Sequence, residues 1–137
     1  MRIVHGSDRG EPSERREATF TGEVWADPLL PTTDGTTIAT VFFAPGARTY
    51  WHHHEHGQIL QVLAGNGLVC ADGGRPQRLR AGDTVLVPAG ERHWHGAAPE
   101  SFMTHTAISL GVTRWADEVT ETDYAADAQP DADPDAQ

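Results

Sequence analysis

Residues 46–65 read GARTYWHHHEHGQILQVLAG, and four of the chain's eight histidines fall within five of these positions. The run is internal and broken by Glu55, whereas a purification tag is terminal and mostly uninterrupted histidine. In an extended segment side chains alternate with a period of two, so His52 and His54 share one face while Trp51 and His53 share the other. Gly57 permits a bend that returns Gln58 toward the space of His52 and His54. A second stretch, GDTVLVPAGERHWHG at 82–96, carries the other histidine pair. Pro88 and Gly90 end an apolar run there, and His93 and His95 then share a face opposed by Trp94. Two imidazoles at i and i+2 can chelate a transition metal, and a distant third donor closes the site. Read alone, the same residues also fit surface polar positions and a hydrogen-bonded structural His93, because short metal motifs are noisy. His53 and His56 are off the face and register and are expected not to be ligands.

Outward from these stretches the chain is a series of short apolar runs punctuated by Gly and Pro. FTGEVWADPLL gives a short strand ended at Asp27-Pro28, and TTIATVFF a longer one stopped by Pro45-Gly46. ILQVLA is expected to stop at Gly65, and GLVCADGG runs into a Gly73-Gly74 turn. TVLV and MTHTAISL complete the pattern. Gly46, Gly65, Gly82 and Gly90 read as turn positions. No segment before residue 111 keeps a 3.6-residue period, and VTRWADEVTETDYAA holds one or two helical turns at most. Many short strands without crossover helices predict an all-β sandwich or barrel. Residues 1–18 read as a loose arm, 19–116 as the barrel, and 117–137 as an acidic tail whose Asp/Pro/Ala end is expected to be disordered.

The chain has 137 residues and a formal charge of −10, which suits one domain and disfavours nucleic acid or an anionic membrane as partner. Eight carboxylates and no Lys or Arg lie from Asp117 onward. The single cysteine, Cys70, excludes an intrachain disulfide and reads as a small buried side chain. No signal-like or membrane-length apolar run occurs, so the cytoplasm is the expected compartment.

Gly46, His52, His54, Gln58 and Gly65, followed by Gly82, Pro88, Gly90 and His93, have the order and spacing of two motifs. Together they resemble those of the cupin superfamily. The resemblance implies a small single-domain cupin jelly-roll barrel with an internal metal held by His52, His54, Gln58 and His93. Cupins usually carry Glu where this chain has Gln58, a departure that removes a ligand negative charge and leaves the metal more electrophilic. FTGEVWADPLL, FAPGARTYWHHHEHGQ, GERHWHGAAP and FMTHTAI further resemble small bacterial cupins with hydroxynitrile lyase activity. That group implies manganese and the cleavage or formation of a cyanohydrin such as mandelonitrile. His105 then acts as base, and His95 protonates or steadies the departing cyanide. Fe, Zn, Co or Ni fit the same donors. His105 shares a strand face with Met103 and Ala107, so it points inward if those residues do. Trp51, Trp94, Phe42 and Met103 are candidates for packing near the pocket, with core or subunit interface the favoured role. The competing readings are a metal-dependent dioxygenase, an isomerase or decarboxylase of a small organic acid, and a non-catalytic binding cupin. The acid-directed readings need a pocket cation, for which Arg48 and Arg92 are the nearest in sequence. No nucleic acid or membrane partner is expected. A dimer or tetramer is, through an outward Trp51 and the strand bearing Trp25.

Overall fold

The computed structural model describes residues 1–6 and 12–126. Its strands are β1 Glu14–Arg16, β2 Phe20–Thr21, β3 Val24–Thr33, β4 Thr36–Phe43, β5 Arg48–Thr49, β6 His52–His54, β7 Gln58–Ala71, β8 Gln77–Arg80, β9 Thr84–Val87, β10 His93–Ala97, β11 Met103–Leu110 and β12 Thr113–Trp115. One helical turn, α1 Glu121–Tyr124, follows. The architecture is nearly all-β, and the strands curl into a nearly closed barrel. The strand order is β1-β3-β4-β11-β7-β10-β5-β2, with β9 and β8 on β7 and with β6 joined to β10 and β12.

The long strand β7 makes the corner. Its first half pairs with β11 and β9, its second with β10 and β8. Gly65 therefore does not end a strand, as its sequence context suggests, but turns one at a φ of 77°. A Cβ there would collide with the Phe102 carbonyl, so the neighbouring backbone also requires glycine. The expected turn glycines Gly46, Gly82 and Gly90 likewise have positive φ.

Asp27-Pro28 does not end β3 either. Among the described residues β1 pairs with Val24–Ala26, and β3 runs on against β4 with shifts of register after Pro28 and Leu30. A proline, which has no N–H to give the ladder, is tolerated at such a register shift. β1 lies within the stretch expected to be a loose arm.

Inside the barrel Val24, Val41, Phe43, Val62 and Met103 form one apolar cluster. A second lies on the other side of the β6–β10 region, where Trp51, Leu68, Cys70 and Trp94 meet Val119 and Tyr124. Alternation sends Trp51 and Trp94 away from the histidines, and residues 116–124 cover them. Trp51 exchanges backbone hydrogen bonds with Ala116 and Asp117. Tyr124 Oη donates to the Ala97 carbonyl at 2.7 Å, and Arg48 reaches the Val119 carbonyl and the Glu121 carboxylate while stacking on the Tyr124 ring. Thr120 caps α1 by accepting from the Asp123 N–H. Trp51 is thus buried and is not available to a second subunit. The rest of the expected tail, 127–137, lies outside the described residues. Among the described residues no helix is long and apolar enough to cross a membrane.

Candidate metal centre

The strand pattern of β6 places His52 and His54 inside and leaves His53 half-buried on the opposite side, beside Arg114 of β12. Gly57, with a φ of 98°, turns the chain so that Gln58 opens β7 pointing inward. β10 lies against both strands, with His93 opposite His52, and its own alternation aims His93 and His95 into the barrel. His105 enters from β11 between Met103 and Ala107. All six side chains are buried. His56 is exposed beside Glu55.

The ring centroids of His52 and His93 are 4.3 Å apart, those of His52 and His54 5.0 Å, and those of His54 and His93 5.6 Å. One ligand nitrogen from each of His52, His93 and His95 lies within 4.8 Å of the others, so these three could hold a metal ion. The tautomers follow from the partners. His52 Nδ1 is 2.8 Å from the Tyr50 carbonyl and His93 Nδ1 is 2.9 Å from that of Glu91. A carbonyl only accepts, so both Nδ1 atoms carry hydrogen and both Nε2 atoms present lone pairs. Thr113 Oγ1 holds His54 Nδ1 at 3.0 Å, and His54 Nε2 is buried without a partner.

Gln58 gives the sharpest indication. Its Nε2 donates to Ser109 Oγ at 3.1 Å, which aims Oε1 at His93 Nε2, 3.0 Å away. Two acceptors facing each other at that distance repel unless a cation lies against both. A divalent metal fits these donors.

Burial, first of all, lowers the pKa of each imidazole. His54 and His105 are pulled down to about 4, His93 is lowered, and His52 and His95 fall well below the ordinary value. All are neutral at pH 7 and free to coordinate or accept a proton. The unfolded chain takes up protons below about pH 6.5 where the folded chain does not. Stability is therefore full above that pH and is lost as the pH falls toward 4. His105 alone accounts for about 3 kcal/mol across that window. Urea unfolding of the metal-free protein should show a midpoint falling steadily from pH 7.5 to 4.5. A constant midpoint would contradict this account.

A cavity of about 510 Å³ opens in front of the cluster. His52, His54, Gln58, His95 and His105 form its polar side, and Ala26, Ala39, Val41, Phe43 and Ala107 its apolar wall. Phe20, Trp115, Arg15, Arg16 and Glu17 also line it, with the Trp115 ring 4.6 Å from that of His52. His105 Nε2 and His95 Nδ1 are 3.0 Å apart, while His105 Nδ1 and His95 Nε2 are buried without partners.

Of the packing candidates named from the sequence, Trp51, Trp94 and Met103 are core and Phe42 faces outward; Phe20, Phe43 and Trp115 are the Phe and Trp side chains on the cavity. Arg48 is held by the C-terminal segment, and Arg92 lies by Asp72 and over Trp51, so neither lines the cavity. Sequence reasoning missed Ser109 and Thr113. Ser109 shares the inward face of β11 with His105, a signal that could have found it; Thr113 has no comparable one.

The fold and site together are a nearly closed β-barrel with a buried polar cluster opening on an apolar cavity. Residues 39–104 match the profile of the family described as Cupin domain. The chain is 44% identical over 111 residues to the (R)-mandelonitrile lyase of Granulicella tundricola, spanning 77% of this chain and 85% of that protein. It therefore belongs to the cupin family. The crystal structure of a cupin-like protein from Thermotoga maritima superposes with a TM-score of 0.79 at 38% identity, over 85% of this chain and 94% of that one. A predicted oxalate decarboxylase from the same organism superposes with a TM-score of 0.69 at 23% identity, over 81% of this chain and 100% of that one, a likeness of fold alone.

Proposed function

We propose that the protein is a metal-dependent lyase that cleaves, and in reverse forms, a cyanohydrin such as mandelonitrile. The observation that carries the reading is the bonded pair His95–His105 standing on the cavity beside a cluster of convergent neutral donors. His52, His54, Gln58 and His93 are assigned as the ligands, because the other polar atom of each is already engaged by an oxygen. His95 is assigned to catalysis, since its Nδ1 is engaged by His105. Manganese is the proposed metal, with Fe, Zn, Co or Ni compatible with the donors. When bound, such an ion supplies Lewis acidity that lowers the pKa of a substrate hydroxyl.

The histidine pair does the proton work. With both rings neutral, one nitrogen of the 3.0 Å contact donates and the other accepts. The two outer nitrogens are then one lone pair and one N–H. If His105 Nε2 donates, its Nδ1 is the base and His95 Nε2 the acid. Taking a proton at His105 Nδ1, passing the shared proton to His95 Nδ1 and releasing the His95 Nε2 proton leaves both rings neutral with these roles reversed. The pair can thus take the hydroxyl proton at one end and offer a proton to departing cyanide at the other. The apolar wall of Ala39, Val41, Phe43 and Ala107 suits an aryl or alkyl aldehyde. Similarity to a mandelonitrile lyase supports the same substrate class.

Manganese-loaded protein given racemic mandelonitrile at mildly acidic pH, where the uncatalysed reaction is slow, should release benzaldehyde faster than buffer and consume no oxygen. Oxygen uptake by the iron-loaded protein with no benzaldehyde release would replace this reading with the dioxygenase one.

A further inference from the structure

One row of residues crosses the inner face of the sheet from the N-terminal strand to the proposed base. Glu14 on β1 lies opposite Ala26 on β3, Ala26 opposite Val41 on β4, and Val41 opposite His105 on β11. Ala26, Val41 and His105 line the cavity, which fixes the side of the sheet that Glu14 faces. Arg16 is two residues further along β1 and shares that face, opposite the buried Val24. Arg15 alternates to the other side, where its guanidinium lies over the Trp25 ring. Arg16 therefore brings to the inner side a cation that neither Arg48 nor Arg92 supplies. The chain has no lysine, and among the described residues Arg15 and Arg16 are the two arginines that line this cavity. Glu17 is the one carboxylate among the lining residues, and it is exposed. Arg16 pairs with Glu14 at 3.1 Å, the two side chains being 41% and 49% exposed. An ion pair so open to water contributes little, and the guanidinium can exchange it for a better-placed carboxylate.

We propose that Arg16 is a specificity-determining residue that receives a carboxylate at the far end of the substrate's aryl group. This rests on the cyanohydrin reading and names the kind of cyanohydrin: an aryl one with an anionic substituent remote from the reacting carbon. The cavity of about 510 Å³ is of the size that encloses a drug-sized ligand, and mandelonitrile leaves part of it unfilled. Three strand-to-strand steps of about 4.8 Å put β1 roughly 14 Å from β11 along the sheet. Barrel curvature shortens that path and both side chains point into the space, so a para-carboxylated aryl cyanohydrin spans it. Phe43 stands between the two ends, next but one to Arg16 in its row and with its ring 5.2 Å from that of His105. Phe20, 6.4 Å from Phe43 and 5.5 Å from Trp115, continues the aromatic surface on which the aryl ring would rest. A planar guanidinium takes a carboxylate through two parallel hydrogen bonds, which fixes the ring's direction as well as its charge.

Titration calorimetry of the manganese-loaded full chain should show 4-formylbenzoate binding about ten-fold or more tighter than benzaldehyde, a margin that shrinks as salt is added. The ratio of kcat/KM for 4-carboxymandelonitrile to that for mandelonitrile should favour the acid by a similar factor. Arg16→Gln should remove both preferences, and Arg16→Lys should restore part of them. Arg78→Gln, exposed and off this cavity, should leave both ratios within about two-fold. Equal binding of the two aldehydes by the parent overturns the proposal. A preference that survives in Arg16→Gln overturns it too, because the metal or another group then holds the carboxylate. The lyase reading fails separately. If neither cyanohydrin is cleaved while 4-formylbenzoate keeps an Arg16-dependent margin, that reading falls and the assignment of Arg16 to the anion is upheld. Cleavage of mandelonitrile with no preference for the acid does the reverse.

Discussion

His105→Ala should lower benzaldehyde release from mandelonitrile by about 10² or more while the protein keeps its full metal content. His105 is fully buried, its pKa is held down to about 4 by that burial, and it is bonded to a second neutral imidazole. It is therefore a free base at the mildly acidic pH where the uncatalysed reaction is slow. Removing the ring leaves His95 without the partner that fixes its tautomer, so both the base and the proton donor are lost together. His52 and His93 are held by backbone carbonyls and do not depend on His105 for orientation. The measurement is initial rate together with metal per chain by elemental analysis. A rate within two-fold of the parent would remove His105 from the mechanism. Loss of metal along with rate would reassign it to holding the site together.

His52→Ala and His93→Ala should each abolish stable metal binding, whereas His53→Ala should keep about one metal per chain. The two inward rings stand 4.3 Å apart across the β6–β10 pairing and present Nε2 lone pairs to one space. His53 is on the opposite side of β6. A metal that binds only the folded chain adds about 4 kcal/mol at a free concentration 1,000 times its dissociation constant. Chelation of the parent should therefore lower its unfolding temperature markedly, and metal should no longer raise that of the two inward variants. If His53→Ala loses metal as readily as His52→Ala, the assignment by strand face is wrong.

The inward set was readable in the sequence because an i, i+2 spacing on a strand needs no tertiary knowledge to fix a shared face. Gln58 was readable through Gly57, and His105 through its apolar neighbours Met103 and Ala107. What escaped depends on contacts between distant segments. Trp51 has the alternation of a surface residue and is buried only because Val119 and Tyr124 return over it from a segment whose composition is acidic. Thr113 meets His54 only through the pairing of β12 with β6. The continuity of β7 through Gly65 and of β3 through Pro28 was hidden for a different reason. Both residues usually interrupt strands, and only the bonding of their neighbours shows that here one bends a strand and the other sits at a shift of register.

The oxygens that orient the donors differ in kind, and this sets where mutations can do harm. His52 and His93 lean on the main-chain carbonyls of Tyr50 and Glu91, which every amino acid except for its side chain supplies equally. Substitution at Tyr50 or Glu91 leaves those acceptors in place. Gln58 and His54 lean instead on the hydroxyls of Ser109 and Thr113, which one codon change removes. Inheritance of the site is thus guarded unevenly: two donors are insured by the backbone, and two are exposed to drift at positions that are not ligands.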